Sequence, residues 1–172
     1  MIRKCTEADF EMVLEIINDA AGVYKGVIPA DRWHEPYMSH DELIHEIETG
    51  ILFWGFEDKG TLIGVMGIQD KGDVTLVRHA YVRSSHRNRG IGTRLLRNLE
   101  STSDKPILVG TWADAKWAIA FYRKNGYRPL PAEEKTRLLK RYWTIPERQV
   151  ETSIVLANRK WRNSPNPSQI LC

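Results

Sequence analysis

Between Ile51 and Val82 the chain passes through three apolar stretches separated by two tight, glycine-bearing turns, Asp58-Lys59-Gly60 and Asp70-Lys71-Gly72-Asp73. Turns this short fold neighbouring strands back on one another. Ile51 to Glu57, Thr61 to Gln69 and Val74 to Val82 are therefore predicted to form an antiparallel meander. The flanking sequence supplies helices to cover it. Ahead of the meander, Ile2 to Cys5 reads as a first strand. Thr6 then starts a helix, with Asp9 in a capping-box-like position and Phe10, Val13, Leu14, Ile17 and Ala21 on one stripe. Ser39-His40-Asp41-Glu42 is a second capping box, opening a helix whose apolar side is Leu43, Ile44 and Ile47 and which stops at Gly50.

After the meander the periodicity alternates between helix and strand. Ile91, Leu95, Leu96 and Leu99 share a helical face, and Ile107 to Trp112 reads as a strand. Asp114 is placed to cap a helix carrying Ala115, Ala118, Ile119 and Tyr122 on one side and closing at Gly126. Tyr127 to Leu130 is a short strand, Pro131 to Tyr142 a helix and Glu151 to Leu156 a last strand. A meander joined to strand–helix–strand crossovers specifies a single α/β domain over residues 1–157, with a mixed central sheet of about seven strands and helices on both faces. Residues 158–172 are rich in Asn, Arg, Ser and Pro and read as a flexible C-terminal tail.

The 172 residues are 42% hydrophobic and 27% charged, as in an ordinary globular protein. No apolar run approaches the ~20 residues that span a bilayer, and the N-terminus lacks an apolar signal core, so a cytoplasmic setting is expected. Cys5 and Cys172 form neither a disulfide framework nor a metal-ligand pattern. His34, His40, His45, His79 and His86 show no metal spacing either. The net charge of +3 does not by itself indicate nucleic acid. Its distribution is more telling, because Arg83, Arg87, Arg89, Arg94 and Arg97 crowd one short segment, either as a solvated helix face or as an anion site.

The chemistry centres on Arg87-Asn88-Arg89-Gly90-Ile91-Gly92, which follows a strand and feeds a helix. A helix start leaves backbone N–H groups unpaired and carries about half a positive charge. Glycine keeps side chains away from those donors, and arginine adds forked ones, so the stretch suits phosphate oxygens. It lacks the Gly-Lys-Ser/Thr ending of a nucleotide-hydrolysing loop, and two glycines do not make a dinucleotide fingerprint.

This stretch resembles the Gln/Arg-x-x-Gly-x-Gly/Ala pattern of the GNAT superfamily of N-acetyltransferases. A second segment, Ala118-Ile119-Ala120-Phe121-Tyr122-Arg123-Lys124-Asn125-Gly126-Tyr127, is similar to the family's Ala-x-x-Leu/Phe-Tyr-x-x-x-Gly-Phe/Tyr segment. The element order agrees from Ile2 to Leu156. The resemblance implies an enzyme using acetyl-CoA as co-substrate. The loop of Arg87, Asn88, Arg89, Gly90, Ile91, Gly92 and Thr93 would hold the pyrophosphate. The strand ending at Val82 would splay from the one beginning at Ile107. The pantetheine arm would pair near Tyr81, Val82 and Arg83, with a backbone N–H near Val82 facing the acetyl carbonyl. Tyr122 would be the general acid, its alternative being a core aromatic. The family often has asparagine where this chain has Ala115, so a side-chain contact to the co-substrate is missing there or supplied by Asp114.

The base is less constrained. His79 suits proton transfer near neutral pH and is expected to share a face with Tyr81; a purely structural histidine is the alternative. Glu35, Asp31 and Gln69 are further options. In the family the first two helices and their loop commonly wall the acceptor pocket, which points to Tyr24, Trp33 and Tyr37, with Gln69 and Trp143 as additional acceptor contacts. Such aromatics suit an amine, or else they pack the loop onto the sheet. The segment Pro131 to Pro146 is long enough to act as a lid. The expected acceptor is the primary amine of a small molecule or amino acid. A protein or peptide amine, or a non-catalytic coenzyme A-binding role, are the alternatives. Homodimer formation stays open. A nucleic-acid role through the arginines and Arg159, Lys160 and Arg162 lacks an aromatic-plus-glycine RNA motif.

Overall fold

The computed structural model describes residues 1–162. Its strands are β1 (Ile2–Lys4), β2 (Leu52–Asp58), β3 (Thr61–Asp70), β4 (Thr75–Val82), β5 (Ile107–Trp112), β6 (Arg128–Pro129) and β7 (Ser153–Ala157). The helices are α1 (Phe10–Ala21), α2 (His40–Glu48), α3 (Ile91–Ser101), α4 (Lys116–Lys124), α5 (Ala132–Tyr142) and α6 (Glu147–Glu151). The strands form one sheet in the order β1-β2-β3-β4-β5-β7-β6. The β4–β5 pair is parallel and the other pairs are antiparallel, which is the mixed sheet expected from the sequence.

The meander forms as the turns dictate. Lys59 and Gly60 both take positive φ, 49° and 80°, as a two-residue hairpin that follows strand twist requires. On one face α3 lays Ile91, Leu95, Leu96 and Leu99 into a core with Met66, Val77, Val109 and Tyr122. On the other face Val13, Leu14, Ile16 and Ile17 of α1 and Leu43 of α2 pack on Leu62 and Val65. Farther along that sheet, α5 sets Leu138, Leu139 and Tyr142 against Leu76, Leu108 and Val155.

Local signals hold in part. Ser39 caps α2 as expected: its Oγ accepts from the Glu42 N–H at 3.1 Å, and its N–H donates to Glu42 Oε2 at 2.7 Å. Of the apolar side expected for α2, only Leu43 is fully buried; Ile44 and Ile47 are 45% and 43% exposed. Asp114 does not cap α4 with its side chain. The N-cap is Ala115, and the Asp114 carbonyl accepts from the Lys116 N–H instead. The segment expected as a lid is a structural layer, because α5 covers the sheet with buried leucines. Asn158, expected as the first tail residue, is buried and clamps the start of β5. Its Oδ1 accepts from Ile107 N–H and its N–H donates to the Ile107 carbonyl, both at 3.0 Å. Trp161 donates from Nε1 to Glu134 at 2.9 Å. The rest of the expected tail, residues 163–172, lies outside the described residues.

Candidate active site

The parallel pairing of β4 with β5 covers only Thr75–Ile107, Leu76–Leu108 and Val77–Val109. Beyond it, β4 stays on β3 as far as Val82, and β5 stays on β7 as far as Trp112. The two strands therefore separate, and their facing backbone edges are left without a ladder partner. A bulge accompanies the split: the register against β3 slips between Val65 and Gly67, and His79 adopts φ of 51°. Bulges bend a strand and re-aim its side chains.

The edge of β4 has a defined polarity. The Arg83 N–H donates to the Ile63 carbonyl on β3 at 2.9 Å. In an antiparallel ladder successive residues turn their polar groups to opposite sides, so the Val82 N–H points away from β3 and into the gap. Tyr81 faces the side carrying α1 and α2, where it packs among Tyr24, Tyr37 and Trp112.

Immediately after β4 the chain makes a short 3-10 turn, Ser84–His86, and enters α3. The first intrahelical donor of α3 is Arg94, bonded to the Gly90 carbonyl. The N–H groups of Ile91, Gly92 and Thr93 thus have no helical acceptor, and the N-cap, Gly90, has no side chain to offer one. The two glycines serve different needs. Gly90 has φ of 74° with open space around it, a conformation that disfavours any side chain. At Gly92 an added Cβ would stand 3.2 Å from the Phe121 ring, so this glycine lets α4 approach α3. Asn88 also takes positive φ, 61°, which curls the loop.

The arginines divide between roles. Arg87 donates to the Ala20 carbonyl at 3.2 Å. Arg83 turns to Leu62 and Glu15, and Arg94 lies over the Phe56 ring. Asn88 and Arg89 remain exposed at the loop. The free amides and these two side chains fit a diphosphate; the arginine cluster as a whole is not an anion cradle.

Within the gap lies a cavity of about 150 Å³. Its walls include Tyr24, Tyr37, His79, Tyr81, Trp112, Tyr122 and Trp143, drawn from five separate parts of the chain. Tyr122 is buried on α4, edge-on to Phe121. Burial pushes its phenol well above the usual tyrosine range. The Tyr24 phenol is likewise pushed up, to about 12, mainly by burial. Both hold their protons at neutral pH. Tyr24 and Tyr37 have ring centroids 5.6 Å apart, and the Tyr37 hydroxyl accepts from Trp112 Nε1 at 3.4 Å. Trp143 closes against Gly110, where an added Cβ would meet its ring at 3.2 Å.

Two residues expected at the acceptor stand elsewhere. Trp33 stacks behind Tyr37 at 5.8 Å and does not line the cavity. Gln69 is buried, with Nε2 on the Thr49 carbonyl and Oε1 on Arg78, each at 3.0 Å. Both of its polar ends are thereby engaged. Of the other base options, Glu35 is exposed and paired with Lys25, and Asp31 lies 3.5 Å from Arg148. Ala115 is fully buried beneath Trp112. Sequence reading passed over Arg78, Trp112 and Gly110. A glycine inside a strand does signal close approach of another group, and at Gly110 that group is Trp143. Among the described residues no cluster of His, Cys, Asp and Glu is arranged to hold a metal, and no helix is long and apolar enough to cross a membrane.

The profile of the acetyltransferase (GNAT) domain matches residues 49–129, from the end of α2 through β6. The PaiA N-acetyltransferase of Thermoplasma acidophilum, solved in complex with coenzyme A, superposes with a TM-score of 0.70 at 20% identity, covering 94% of this chain and 98% of that one. A ribosomal-protein-alanine N-acetyltransferase from Brucella melitensis gives 0.64 at 19% identity, with 92% and 98% covered. N-acetylglutamate synthase from Neisseria gonorrhoeae, in complex with coenzyme A and N-acetyl-glutamate, gives 0.62 at 17% identity; 94% of this chain matches 35% of that one. At these identities the structural likeness speaks to the fold. No curated protein matches the sequence.

Proposed function

We propose that the chain is a member of the GNAT superfamily and an acetyl-CoA-dependent N-acetyltransferase acting on the primary amine of a small molecule or amino acid. One observation carries the reading. β4 parts from β5 after Val77, and the same strand then leads within a few residues into an uncapped helix start. A split that exposes strand edges suits a slender amide-bearing arm, and unpaired helix amides suit a diphosphate. That a structural neighbour was solved with coenzyme A is consistent with this assignment.

Acetyl-CoA would supply the acetyl group already activated as a thioester. The amides of Gly90, Ile91, Gly92 and Thr93, with Asn88 and Arg89, would hold its diphosphate. Arg87 would act indirectly, by tying the loop to Ala20. The backbone of Tyr81, Val82 and Arg83 would align the arm, and the Val82 N–H would donate to the acetyl carbonyl where negative charge develops. Tyr122, protonated and buried against the cavity, would give its proton to the departing sulfur. His79, which lines the same cavity, would take a proton from the attacking amine. Tyr24, Tyr37 and Trp143 would wall the acceptor, with Trp33 bracing Tyr37 from behind. The modest size of the cavity and its aromatic wall support a small acceptor over a peptide segment.

The test is release of free thiol from acetyl-CoA across a panel of primary amines, amino acids and short peptides. Turnover is expected with a subset of the small amines. Absence of amine-dependent thiol release across the panel, together with no binding of coenzyme A, would remove the assignment.

A further inference from the structure

We infer that Glu46 is a positioning residue for His79: its carboxylate holds the imidazole with the proton on Nε2, leaving Nδ1 as the atom that accepts the amine proton. The inference rests on the proposed role of His79 as the base, and it adds which nitrogen acts and what sets it.

The geometry comes from the bulge in β4. With φ of 51° at His79, Arg78 and His79 both approach α2 instead of alternating across the sheet. A non-glycine residue in this region is strained and persists where its surroundings hold it. Those surroundings are specific. The imidazole stacks on Phe53, with centroids 6.2 Å apart, and its Nε2 lies 3.1 Å from Glu46 Oε2. That approach is off the hydrogen-bond line, and Nε2 has no other partner although it is shut off from solvent. A small rotation of either side chain would complete the bond. Glu46 is the one carboxylate that reaches the buried Nε2 of His79 among the described residues. A ring nitrogen engaged this way leaves its lone pair on the opposite nitrogen.

The charges around the pair are few. Arg78 donates from Nη2 to the same Glu46 oxygen at 3.1 Å, and its Nη1 is bound by Gln69, so the guanidinium is fixed. His45, on α2, also acts on Glu46. Burial alone would raise the Glu46 carboxyl, but His79, Arg78 and His45 hold it below the ordinary glutamate value. It is therefore ionised at neutral pH. The tyrosines facing the cavity from the other elements, Tyr24, Tyr81 and Tyr122, are kept protonated by burial and add no charge. When an amine N–H bond breaks and an Nδ1–H bond forms, the positive imidazolium is met by Glu46.

Two measurements test this. Nitrogen-15 NMR of histidine side chains in the wild-type protein at neutral pH reads the tautomer directly, with His79→Gln assigning the signal. The proton is expected on Nε2; a signal showing it on Nδ1 would overturn the proposal. The second is the pH profile of kcat/KM for the amine in the wild type, Glu46→Gln and Glu46→Asp. A nearby carboxylate stabilises the protonated ring. Its loss in Glu46→Gln should therefore move the acidic limb to lower pH. The plateau should fall roughly tenfold, because a mis-set ring is a poorer base. Glu46→Asp should restore part of both, with acetyl-CoA affinity constant throughout. A lowered melting temperature with an unmoved acidic limb would reduce Glu46 to a structural ion pair. Unchanged turnover in His79→Gln would instead defeat the base assignment itself, a separate outcome.

Discussion

The two ends of the β4–β5 gap are built in opposite ways. At the α3 end, everything proposed to hold the diphosphate lies in one short stretch, Arg87 to Thr93, and acts mainly through the backbone. At the other end the wall is tertiary: Tyr24 follows α1, Tyr37 precedes α2, Trp112 ends β5 and Trp143 follows α5. A backbone device tolerates many side chains but demands particular φ values. A side-chain wall of this kind asks little of the backbone beyond the bulge at His79, and its aromatic members also carry part of the core. Substitutions should therefore separate the two ends by what they damage.

The largest effect should fall on the wall. Trp143→Ala removes a buried indole packed on Gly110, and should cost roughly 3 kcal/mol of stability. It should also lower kcat/KM for the amine while leaving acetyl-CoA affinity intact; chemical denaturation and acceptor kinetics report the two. If acetyl-CoA affinity fell equally, the wall and the mouth would not be independent. Next, Tyr122→Phe keeps the ring and its packing but loses the proton donor, so kcat should drop roughly 100-fold with little change in stability or co-substrate binding. Unchanged turnover would return Tyr122 to the role of a core aromatic. At the mouth, Gly90→Val forces a β-branched residue into φ of 74°, a strain of roughly 1–3 kcal/mol. Coenzyme A binding, followed by calorimetry, should weaken by roughly 10- to 100-fold, with the intrinsic cavity for the amine preserved.

The same contrast explains what could be read from the sequence. The meander, the Ser39–Glu42 capping box and the α3 stripe are local, and each is encoded within a few residues of itself. The loop of glycines and arginines is local too, which made the proposed diphosphate site legible. The roles of its members were less so, because Arg87 and Arg83 find partners on α1 and β3 that only the folded chain brings near. The bulge at His79 was invisible: alternation predicts a regular strand, and nothing in Arg78-His79-Ala80 announces a positive φ. His79 and Tyr81 do share a face, as expected, and it is the one that carries α1 and α2; Arg78 joins them through the irregularity. Gln69 looked like a polar group available to substrate because its two partners, Thr49 and Arg78, are remote or hidden by the bulge. Asn158 resembled tail by composition, yet its clamp on Ile107 spans distant sequence. Long-range pairing of this kind leaves no periodic trace.

The central claim is that main-chain amides at the start of α3 and along the open edge of β4 receive the co-substrate. Titrating coenzyme A into nitrogen-15-labelled protein and following backbone amide resonances tests it most directly. The largest shifts are expected at Gly90, Ile91, Gly92 and Thr93, with a second group at Val82 and its neighbours on β4. Saturable binding that left these amides unmoved, or shifts confined to another surface, would contradict it.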